Sequence, residues 1–280
     1  MNLQCPICHS NNQRDYPARC SPFLAERIWN TSPFPMQFIS CNDCGFMYYY
    51  PQPTDKELEK LYNGYRSTEY EKQRQKHEPD YSNAVLYHDY IFRHLRIYET
   101  LKNHIDSCDV TSVLDYGGGD GSIIPPVYSH ANRYVYDISG IPIVDGVKPF
   151  SLADTRTFDL ILCCHVLEHV NDPHEAASNI AGYMHDKSIL YLEVPTEYPF
   201  VVSALKFFST HRRFYYLYAW LYGKDPEGMF PVMHEHINLF TEPSLRKLLE
   251  MHNLDILYME QDHTDNTEVP VISVVAKLEE

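Results

Sequence analysis

From Thr111 onward, short apolar runs alternate with segments that carry helical periodicity. We predict strands at SVLDY, YVYD, IVDG, DLILCC, ILYLEVP, LDILYME and PVISVVAKL. Helices are predicted directly after Gly121 and over HEAASNIAGYMH and EPSLRKLLEMH. This alternation predicts an α/β domain with a parallel, doubly wound sheet of seven strands. The last two strands follow each other too closely for a crossover helix, so we expect an antiparallel last strand in a hairpin.

The segment before this region follows a different pattern, which we interpret as a helical connector over residues 53–107. Thr54 and Glu57 match a T-x-x-E capping box that opens a short helix over KELEKLY. The polar stretch NGYRSTEYEKQRQKHEPD is predicted to be a mobile connector. Apolar residues then recur at helical spacing from about Tyr81 to Ile105, which predicts a long amphipathic helix. Residues 108–280 form the predicted α/β domain, and an insertion at 196–240 is too long for an ordinary loop.

Composition and charge narrow the class of protein. The chain has 280 residues, 44% of them hydrophobic, and a formal net charge of −15. Nucleic-acid binding is disfavoured, because a duplex-binding surface needs a basic field. No apolar stretch approaches the roughly 20 residues that would cross a bilayer. The start MNLQCPICHS lacks the pattern of a secretory signal, so we expect a cytoplasmic protein without a membrane span.

Two CxxC pairs mark residues 1–52 as a separate unit, a small zinc-ribbon domain. The pairs are Cys5 with Cys8 and Cys41 with Cys44. In a chain without a secretion signal, such pairs indicate metal binding and not disulfides. Two CxxC knuckles complete a tetrahedral Zn²⁺ site, and a short unit with little core gains much of its folding energy from the metal. Four thiolates saturate the ion, so we predict a structural role for it.

The run SVLDYGGGDGS places an acidic residue and a glycine loop between a predicted strand and a predicted helix. A dinucleotide-binding loop would have G-x-G-x-x-G, but Ser122 occupies the third glycine position and the spacing is G-x-G-x-G through Gly121. Asp115 stands two residues before Gly117. A carboxylate at that point would repel a pyrophosphate, whereas it suits a ligand that carries an ammonium and a sulfonium.

These motifs resemble class I S-adenosylmethionine-dependent methyltransferases. VLDYGGGDG is similar to their first motif, FDLILCCHVLEHVNDP to their fourth-strand segment, and HEHINLFTEPSLRKLLEMHNLDIL to their late helix–strand segment. The cysteine knuckles followed by CGFMYYYPQPTDKELEKLY resemble a branch acting on small molecules, many of them sugars of bacterial surface polysaccharides or antibiotics. The resemblance spans nearly the whole chain and implies a Rossmann-like methyltransferase fold.

The resemblance also implies a set of cofactor-binding residues. The glycine loop would approach the methionyl part of the cofactor, with the acidic residue before the loop near its amino group. An aspartate at the end of the second strand would bind the ribose hydroxyls, although it could also be a turn-former. Tyrosines of the connector would fold over the cofactor as a lid. The residues concerned are Asp115, Gly117, Gly119, Gly121, Asp137, Tyr65 and Tyr70.

One departure from the family lies between the second and third strands. The helix expected there is replaced by the short, proline-bearing segment SGIPIVDGVKPFSLADTRTFD. The residue that meets the adenine amino group is therefore open between Asp145 and Asp154.

A first candidate cluster for chemistry is HVLEH, which ends the predicted fourth strand beside the cofactor. It contains His165, Glu168 and His169, with His165 assigned to cofactor binding and His169 to catalysis. Histidine is the obvious base near neutral pH. The run is similar to the E-x-x-E-H metal site of some magnesium-assisted O-methyltransferases, but His165 stands in place of an oxygen ligand, which Mg²⁺ prefers. The alternative is that Glu168 and His169 only cap the strand-to-helix turn.

A second cluster is MHEHINLF, at the close of the insertion. We favour His236 or His234 as the catalytic base, with Glu235 as orienter or second base. The alternative is a hydrogen-bonded pair of loop histidines. The insertion also contains His211, Arg212 and Arg213, a basic group that would suit the diphosphate of a nucleotide-linked sugar or would simply belong to a surface helix.

Three hypotheses for function result. The leading one is transfer of a methyl group from S-adenosylmethionine to a small molecule, most of all a sugar or nucleotide-linked sugar. The alternatives are a non-catalytic zinc-ribbon adaptor with a degenerate nucleotide-binding domain, and a nicotinamide-dependent oxidoreductase, which Asp115 and Ser122 disfavour.

Overall fold

The described part of the chain contains two β-sheets and six α-helices. The structure is a computed structural model that describes residues 3–196, 231–261 and 270–279, with the backbone alone for residues 84–92. Its strands are β1 (Gln13–Cys20), β2 (Pro35–Cys41), β3 (Met47–Tyr50), β4 (Ser112–Tyr116), β5 (Asn132–Tyr136), β6 (Val147–Pro149), β7 (Phe158–Cys164), β8 (Met184–Pro195), β9 (Val232–Met233), β10 (Asn238–Leu239), β11 (Leu254–Gln261) and β12 (Val271–Leu278). Its helices are α1 (Pro22–Trp29), α2 (Asp55–Tyr62), α3 (Thr68–Gln75), α4 (Asn83–Leu101), α5 (Pro173–Gly182) and α6 (Glu242–Glu250).

The larger sheet has seven strands in the order β11-β12-β8-β7-β4-β5-β6. Strands β6, β5, β4, β7 and β8 pair in parallel, whereas β12 is antiparallel to both β8 and β11. The predicted fold class and its antiparallel last strand are therefore confirmed. Because β4 lies between β5 and β7, the chain leaves β4 at the point where the strand order reverses, which is where open α/β sheets bind ligands.

The central strands are buried on both faces, as their continuous apolar runs require in a parallel sheet. Val113 and Leu162 pack with Ile97 and Leu101 of α4 on one face. Alternate residues, such as Leu114, point into a second core that includes residues of α5 and α6. Side chains of a strand alternate between its faces, so one short run can serve both cores.

Two predicted elements differ in the structure. Directly after Gly121 the chain forms turns and then a 3₁₀ helix over Pro126–Tyr128, and not the predicted α-helix. Pro125 and Pro126 remove two backbone donors at the point where a helix would have to propagate. The third strand is also displaced, because IVDG forms a loop and turn and β6 begins only at Val147.

The smaller sheet joins distant parts of the sequence. Its order is β10-β3-β2-β1-β9, so two short strands from residues 232–239 extend a sheet built from residues 13–50. Arg19 pairs with Val232 in parallel, and Tyr48 pairs with Asn238 in antiparallel. The segment that contains His234 is thereby held between two strands of this sheet. A boundary at residue 52 remains a prediction, and the sheet itself spans it.

The connector is more ordered than its polar sequence predicts. Helix α2 begins as expected, with Glu57 Oε2 accepting a hydrogen bond from the Thr54 backbone N–H at 2.8 Å. The stretch predicted to be mobile contains α3, whose Ser67 hydroxyl oxygen accepts from the Tyr70 N–H at 3.2 Å. Tyr70 is buried and packs edge-on against Phe23 of α1. Among the helices of the described residues, none is long and apolar enough to cross a membrane.

Candidate active site

A cavity of about 390 Å³ opens at the carboxyl edge of β4, β5 and β7. The glycine loop, residues 117–121, forms one wall, and residues from α2, α4 and α5 form others. Of the residues predicted to bind the cofactor, five line this cavity: Gly117, Gly119, Asp137, His165 and Tyr65. Five of the residues predicted to bind the cofactor therefore lie on one cavity, and their role in binding remains a prediction.

The glycine loop has a backbone conformation and close contacts that favour glycine. Gly117 and Gly119 have φ angles of +75° and +63°, in the left-handed region. A Cβ atom on Gly117 would lie 2.6 Å from Val166 Cγ2, and one on Gly118 would lie 1.8 Å from Asp115 Oδ2. The loop thus combines positive φ angles with close packing against Val166 and Asp115. Its other side is exposed to the cavity.

Asp115 lies beneath this loop and is fully buried. Neither of its carboxylate oxygens has a hydrogen-bond partner among the described residues. Burial, and next the charge of Asp137, raise the pKa of Asp115 well above its usual range. The side chain is not among those that line the cavity, so Gly118 separates it from a ligand in this conformation. Its predicted role near an ammonium group remains a prediction.

Gly121 also lies outside the cavity lining, and its requirement is one of packing. Its φ angle is +80°, and a Cβ atom there would lie 2.8 Å from Val147 Cγ1. Asp137, by contrast, lines the cavity directly after β5. One of its oxygens accepts from the Gly119 N–H at 2.8 Å, and the other accepts from the Ser139 N–H at 2.7 Å. Asp137 therefore connects the second strand to the glycine loop.

The cavity has a predominantly acidic lining. Five carboxylates face it, from Asp55, Glu59, Asp137, Asp172 and Glu175, against the two guanidinium groups of Arg66 and Arg93. Clustered like charges raise the local concentration of ligands of opposite sign. This lining favours a cationic ligand and disfavours a pyrophosphate.

His165 lies between two buried carboxylates at the end of β7. Its φ angle is +57°, and its Nε2 lies 2.8 Å from Glu193 Oε1. Its Nδ1 lies 3.3 Å from Glu168 Oε1. Burial by itself would lower the pKa of His165, but the nearby carboxylate of Glu168 and the hydrogen bond to Glu193 together outweigh burial and raise it. This side chain presents a partly exposed imidazole to the cavity.

His169 also lines the cavity, and its Nδ1 is engaged on the far side. This atom lies 3.0 Å from the Glu235 carbonyl oxygen and 2.8 Å from the Tyr62 hydroxyl. A carbonyl only accepts, so this contact favours the tautomer with the proton on Nδ1, in which the Tyr62 hydroxyl oxygen accepts as well and Nε2 keeps its lone pair. Burial lowers the pKa of His169, while the charge of Glu168, whose Oε1 is 3.9 Å from Nε2, opposes that effect. The arrangement is that of a neutral imidazole able to accept a proton.

The two histidine clusters, which are far apart in sequence, meet in the structure. The Ile237 N–H donates to the Glu168 carbonyl at 2.9 Å, and Asn238 Nδ2 donates to the Val170 carbonyl at 2.7 Å. The ring of His236 lies edge-on to that of His169, with 4.8 Å between the ring centres. The structure therefore brings together two of the predicted catalytic residues.

The other two predicted catalytic residues point elsewhere. The Glu235 carboxylate forms an ion pair with Arg74 Nη1 at 2.9 Å and accepts a hydrogen bond from the Tyr70 hydroxyl. His234 is half exposed, and its Nδ1 lies 3.5 Å from Glu78. Glu235, His234 and Glu78 are not among the residues that line the cavity.

The four cysteines predicted to bind metal form one cluster at the base of the smaller sheet. In each knuckle the carbonyl of the first cysteine accepts from the N–H four residues later, His9 to Cys5 at 2.9 Å and Gly45 to Cys41 at 3.0 Å. Both of these later residues are left-handed, with φ angles of 57° and 76°. The two knuckles are therefore built alike.

The sulfur atoms of this cluster have the spacing of a tetrahedral site. Cys5 and Cys44 are 3.6 Å apart, Cys8 and Cys41 are 3.5 Å apart, and all four sulfurs lie within 4.8 Å of one another. Zinc with Zn–S bonds of about 2.3 Å would separate its ligands by about 3.8 Å. The hydrogen bond between Cys5 and Cys44 lowers the pKa of Cys5 and raises the pKa of Cys44, so these two sulfurs share one proton in the metal-free cluster.

The remaining predicted residues do not converge on the cavity. Tyr70 is buried in the connector core, and neither Asp145 nor Asp154 is among the residues that line the cavity. Asp154 instead pairs with Arg156 at 2.7 Å. The basic group at residues 211–213 lies outside the described residues.

Several residues of the site carried no recognisable signal in the sequence. Tyr62 contacts His169, and Glu193 contacts His165, yet neither was predicted as a site residue. Arg93 and Arg96 lie on α4 and reach Glu193 from the other side of the sheet edge. The sequence did contain one signal for Glu193, which is the charged residue of the otherwise apolar run ILYLEVP. A glutamate buried in such a strand needs a partner.

The fold and the site together define a methyltransferase. A family model described as a methyltransferase domain matches residues 70–258, which is more than half of the chain. The chain therefore belongs to the methyltransferase-domain family. The predicted family and enzyme class, a class I S-adenosylmethionine-dependent methyltransferase, are confirmed.

Similar proteins support the same fold. The 1,6-didemethyltoxoflavin-N1-methyltransferase of Burkholderia thailandensis is 13% identical, with a TM-score of 0.52 over 88% of this chain and 96% of that one. Magnesium protoporphyrin IX methyltransferase of Synechocystis PCC 6803 is 17% identical, with a TM-score of 0.51 over 81% of this chain and all of that one. A ubiquinone biosynthesis O-methyltransferase of Glaesserella parasuis serovar 5 (strain SH0165) is 26% identical over 73 residues, which are 26% of this chain and 31% of that protein's length.

Proposed function

We propose that this protein transfers a methyl group from S-adenosylmethionine to a hydroxyl group or carbon of a small molecule, in particular a sugar or nucleotide-linked sugar. The observation that carries this proposal is the placement of His169. Its unprotonated Nε2 belongs to the same cavity as the glycine loop and Asp137. The residues proposed to bind the cofactor and the candidate base therefore share one cavity.

The cavity offers complementary groups to the parts of the cofactor. Asp137 follows β5 and presents a carboxylate that suits ribose hydroxyls. The next residue, Ile138, lines the cavity yet is 49% exposed, which suits contact with an apolar ring such as adenine. The acidic lining suits the positive charge of the sulfonium, and bound S-adenosylmethionine would supply an electrophilic methyl group.

The role of this chain's own residues is to position the acceptor and to remove a proton. His169 accepts the proton of the acceptor at Nε2, and the carboxylate of Glu168 stabilises the imidazolium that results. The Glu235 carbonyl holds the ring in the required tautomer. His236 is the alternative base, because its ring lies edge-on to that of His169, although His236 is not among the residues that line the cavity.

The similar proteins support a small-molecule acceptor, and the walls of the cavity support a sugar-like one. Tyr62 and Tyr65 both line the cavity and pack edge-on, with 5.4 Å between their ring centres. Aromatic rings with hydroxyl groups suit a ligand that has both apolar and hydroxylated faces. The names of the three similar proteins also refer to small molecules.

We further propose that Cys5, Cys8, Cys41 and Cys44 bind one structural zinc ion. The knuckle carbonyls also support neighbouring elements. The Ile7 carbonyl accepts from His174 Nε2 at 3.0 Å, and the Cys44 carbonyl accepts from the Thr241 hydroxyl at 3.3 Å. Zinc at this point would stabilise the first turns of α5 and α6, and α5 contributes residues to the cavity.

Calorimetric titration with S-adenosylmethionine, S-adenosylhomocysteine and NAD tests the function. We expect the first two to bind and NAD not to bind. A panel of sugars and nucleotide-linked sugars should then be screened for uptake of an isotopically labelled methyl group. NAD binding without S-adenosylmethionine binding would overturn the proposal in favour of an oxidoreductase. Cofactor binding without transfer to any small molecule would favour the non-catalytic adaptor.

A further inference from the structure

Asn238 is a buried polar residue of β10 whose side chain reaches the turn that carries His169. Its Nδ2 atom donates to two backbone carbonyls, that of Leu167 at 3.1 Å and that of Val170 at 2.7 Å. In the sequence these two carbonyls lie on either side of Glu168 and His169. One side chain therefore holds both ends of the turn that carries the candidate base.

Gln52, which follows β3, fixes the orientation of this amide. Gln52 Nε2 lies 2.7 Å from Asn238 Oδ1 and 3.4 Å from the Ile237 carbonyl oxygen. Because a carbonyl oxygen can only accept, Gln52 presents its NH₂ group here, and Asn238 meets it with Oδ1. The opposite orientation of the Asn238 amide would place its oxygen against the two carbonyl oxygens of the turn.

The backbone of the same segment strengthens this attachment. The N–H groups of Ile237 and Asn238 both donate to the Glu168 carbonyl, at 2.9 and 3.1 Å. Side chain and backbone of Asn238 together therefore bind the carbonyls of residues 167, 168 and 170. A buried carbonyl that loses its partner is costly, so loss of the amide would force this turn to move.

We propose that Asn238 is the positioning residue for the candidate base: it holds the turn of His169 against the segment of Glu235, so that the Glu235 carbonyl meets Nδ1 and the lone pair stays on Nε2. This inference rests on the proposed function. The Val170 carbonyl directly follows His169, and Asn238 is three residues after Glu235, so the attachment is close to both partners of this contact. Asn238 does not line the cavity itself, so it acts through His169.

The test observes the ring nitrogens of His169 and needs no acceptor. The wild type and Asn238→Leu, a change of similar volume that removes the amide, are labelled with ¹⁵N in their histidine rings and compared by NMR near pH 8. His169→Gln identifies the signal. We expect the Nδ1–H tautomer in the wild type. In Asn238→Leu the ratio of the two tautomers should shift roughly 10-fold toward Nε2–H, the size of one lost hydrogen bond.

His94 provides an internal control in the same spectra. Its Nε2 lies 2.6 Å from the Ser122 carbonyl oxygen, so it should be the Nε2–H tautomer in both proteins. Asn132→Leu, the same substitution at an exposed asparagine, is the matched control and should leave His169 unchanged. A general loss of structure would move the signals of both histidines, whereas a positioning role moves that of His169 alone.

A second variant covers the case in which Asn238→Leu does not fold. Gln52→Leu keeps the Asn238 amide but removes the group that orients it, and should shift the tautomer ratio of His169 in the same direction by about 3-fold. An Nε2–H tautomer of His169 in the wild type, or an unchanged ratio in the folded variants, would overturn the inference.

Titration with S-adenosylhomocysteine separates this inference from the proposed function. The Kd of both variants should stay within about 3-fold of wild type, because the glycine loop and Asp137 make none of the contacts that are removed. Failure of the wild type to bind S-adenosylhomocysteine would overturn the proposed function, whereas the tautomer of His169 decides the role of Asn238.

Discussion

The Nδ1 atom of His169 lies 3.0 Å from the backbone carbonyl oxygen of Glu235, 66 residues further along the chain. His169 follows β7 of the larger sheet, whereas Glu235 lies between β9 and β10 of the smaller sheet. The smaller sheet therefore supplies a carbonyl that favours the proton on Nδ1 of His169. The lone pair of Nε2 is left for the cavity, where a reacting group would lie.

Replacing His169 with alanine should separate catalysis from cofactor binding. We expect kcat to fall by about 10²- to 10⁴-fold, because general-base catalysis is lost. The Kd for S-adenosylhomocysteine should change little, since the glycine loop and Asp137 are untouched. His236→Ala is the matched comparison, and the single-turnover rate of methyl transfer is the measurement. A larger loss in His236→Ala than in His169→Ala would assign the base to His236.

Glu235→Gln distinguishes a structural carboxylate from a catalytic one. The substitution removes the ion pair with Arg74 but leaves the backbone carbonyl that contacts His169. Loss of one partner of a partly buried pair should lower the free energy of unfolding by about 1–3 kcal/mol. Turnover of the folded variant should stay within about 10-fold of wild type, below the loss typical of a missing general base. Urea unfolding and kcat together check this; a 10³-fold loss of kcat with normal stability would show that Glu235 is a base.

Asp115→Asn should alter the dependence of stability on pH. Burial raises the pKa of Asp115 above the unfolded value of about 3.9, so the folded state holds its proton more strongly. Stability from this group is present at low pH and falls as pH rises above about 4, by up to about 1.4 kcal/mol per pH unit until the folded pKa is reached. Asparagine does not titrate, so the variant does not lose stability in this way. We expect the free energy of unfolding of the variant to rise relative to that of the wild type as the pH increases from 5 to 8.

The measurement for Asp115 is urea unfolding of both proteins across that pH range. A wild type that gains stability relative to Asp115→Asn as the pH rises would contradict the prediction.

Gly118→Ala should abolish cofactor binding while the fold persists. The added Cβ would lie 1.8 Å from a carboxylate oxygen of Asp115, so the loop must move away from its position. Gly182→Ala is a suitable control, because a Cβ atom there meets nothing within 4 Å. Calorimetry with S-adenosylhomocysteine should show binding to the control alone. Unchanged affinity in Gly118→Ala would mean that the loop does not contact the ligand.

Removal of the proposed zinc should destabilise more than the cysteine knuckles. We expect about one zinc ion per chain by elemental analysis, and loss of it in Cys41→Ser. Cys108→Ser, at an exposed cysteine outside the cluster, should retain the metal. Because the Ile7 carbonyl contacts His174 at the start of α5, the metal-free variant should also unfold at lower temperature. A full complement of zinc in Cys41→Ser would contradict the assignment of the site.

The local motifs were predictable because each depends on neighbours in sequence. The run VLDYGGGDG must form a strand and a glycine loop, since Gly117 and Gly119 need positive φ angles. The knuckles at Cys5 and Cys41 likewise follow from their own turns. The helix predicted after Gly121 does not form, and the reason is again local. Pro125 and Pro126 remove two backbone donors just where the helix would continue.

The sequence by itself determined the class of protein, the seven-stranded sheet, the cofactor loop and the cysteine cluster, because these depend on periodicity, backbone requirements and short spacings. Only the tertiary structure decided which histidine faces the cavity and which carboxylates are already paired. Glu235 meets Arg74, and Glu193 meets Arg96, across separations of roughly 100 residues or more. Such contacts depend on how β9 and β10 dock onto the smaller sheet and how α4 packs on the larger one, and no pattern of neighbouring residues encodes them.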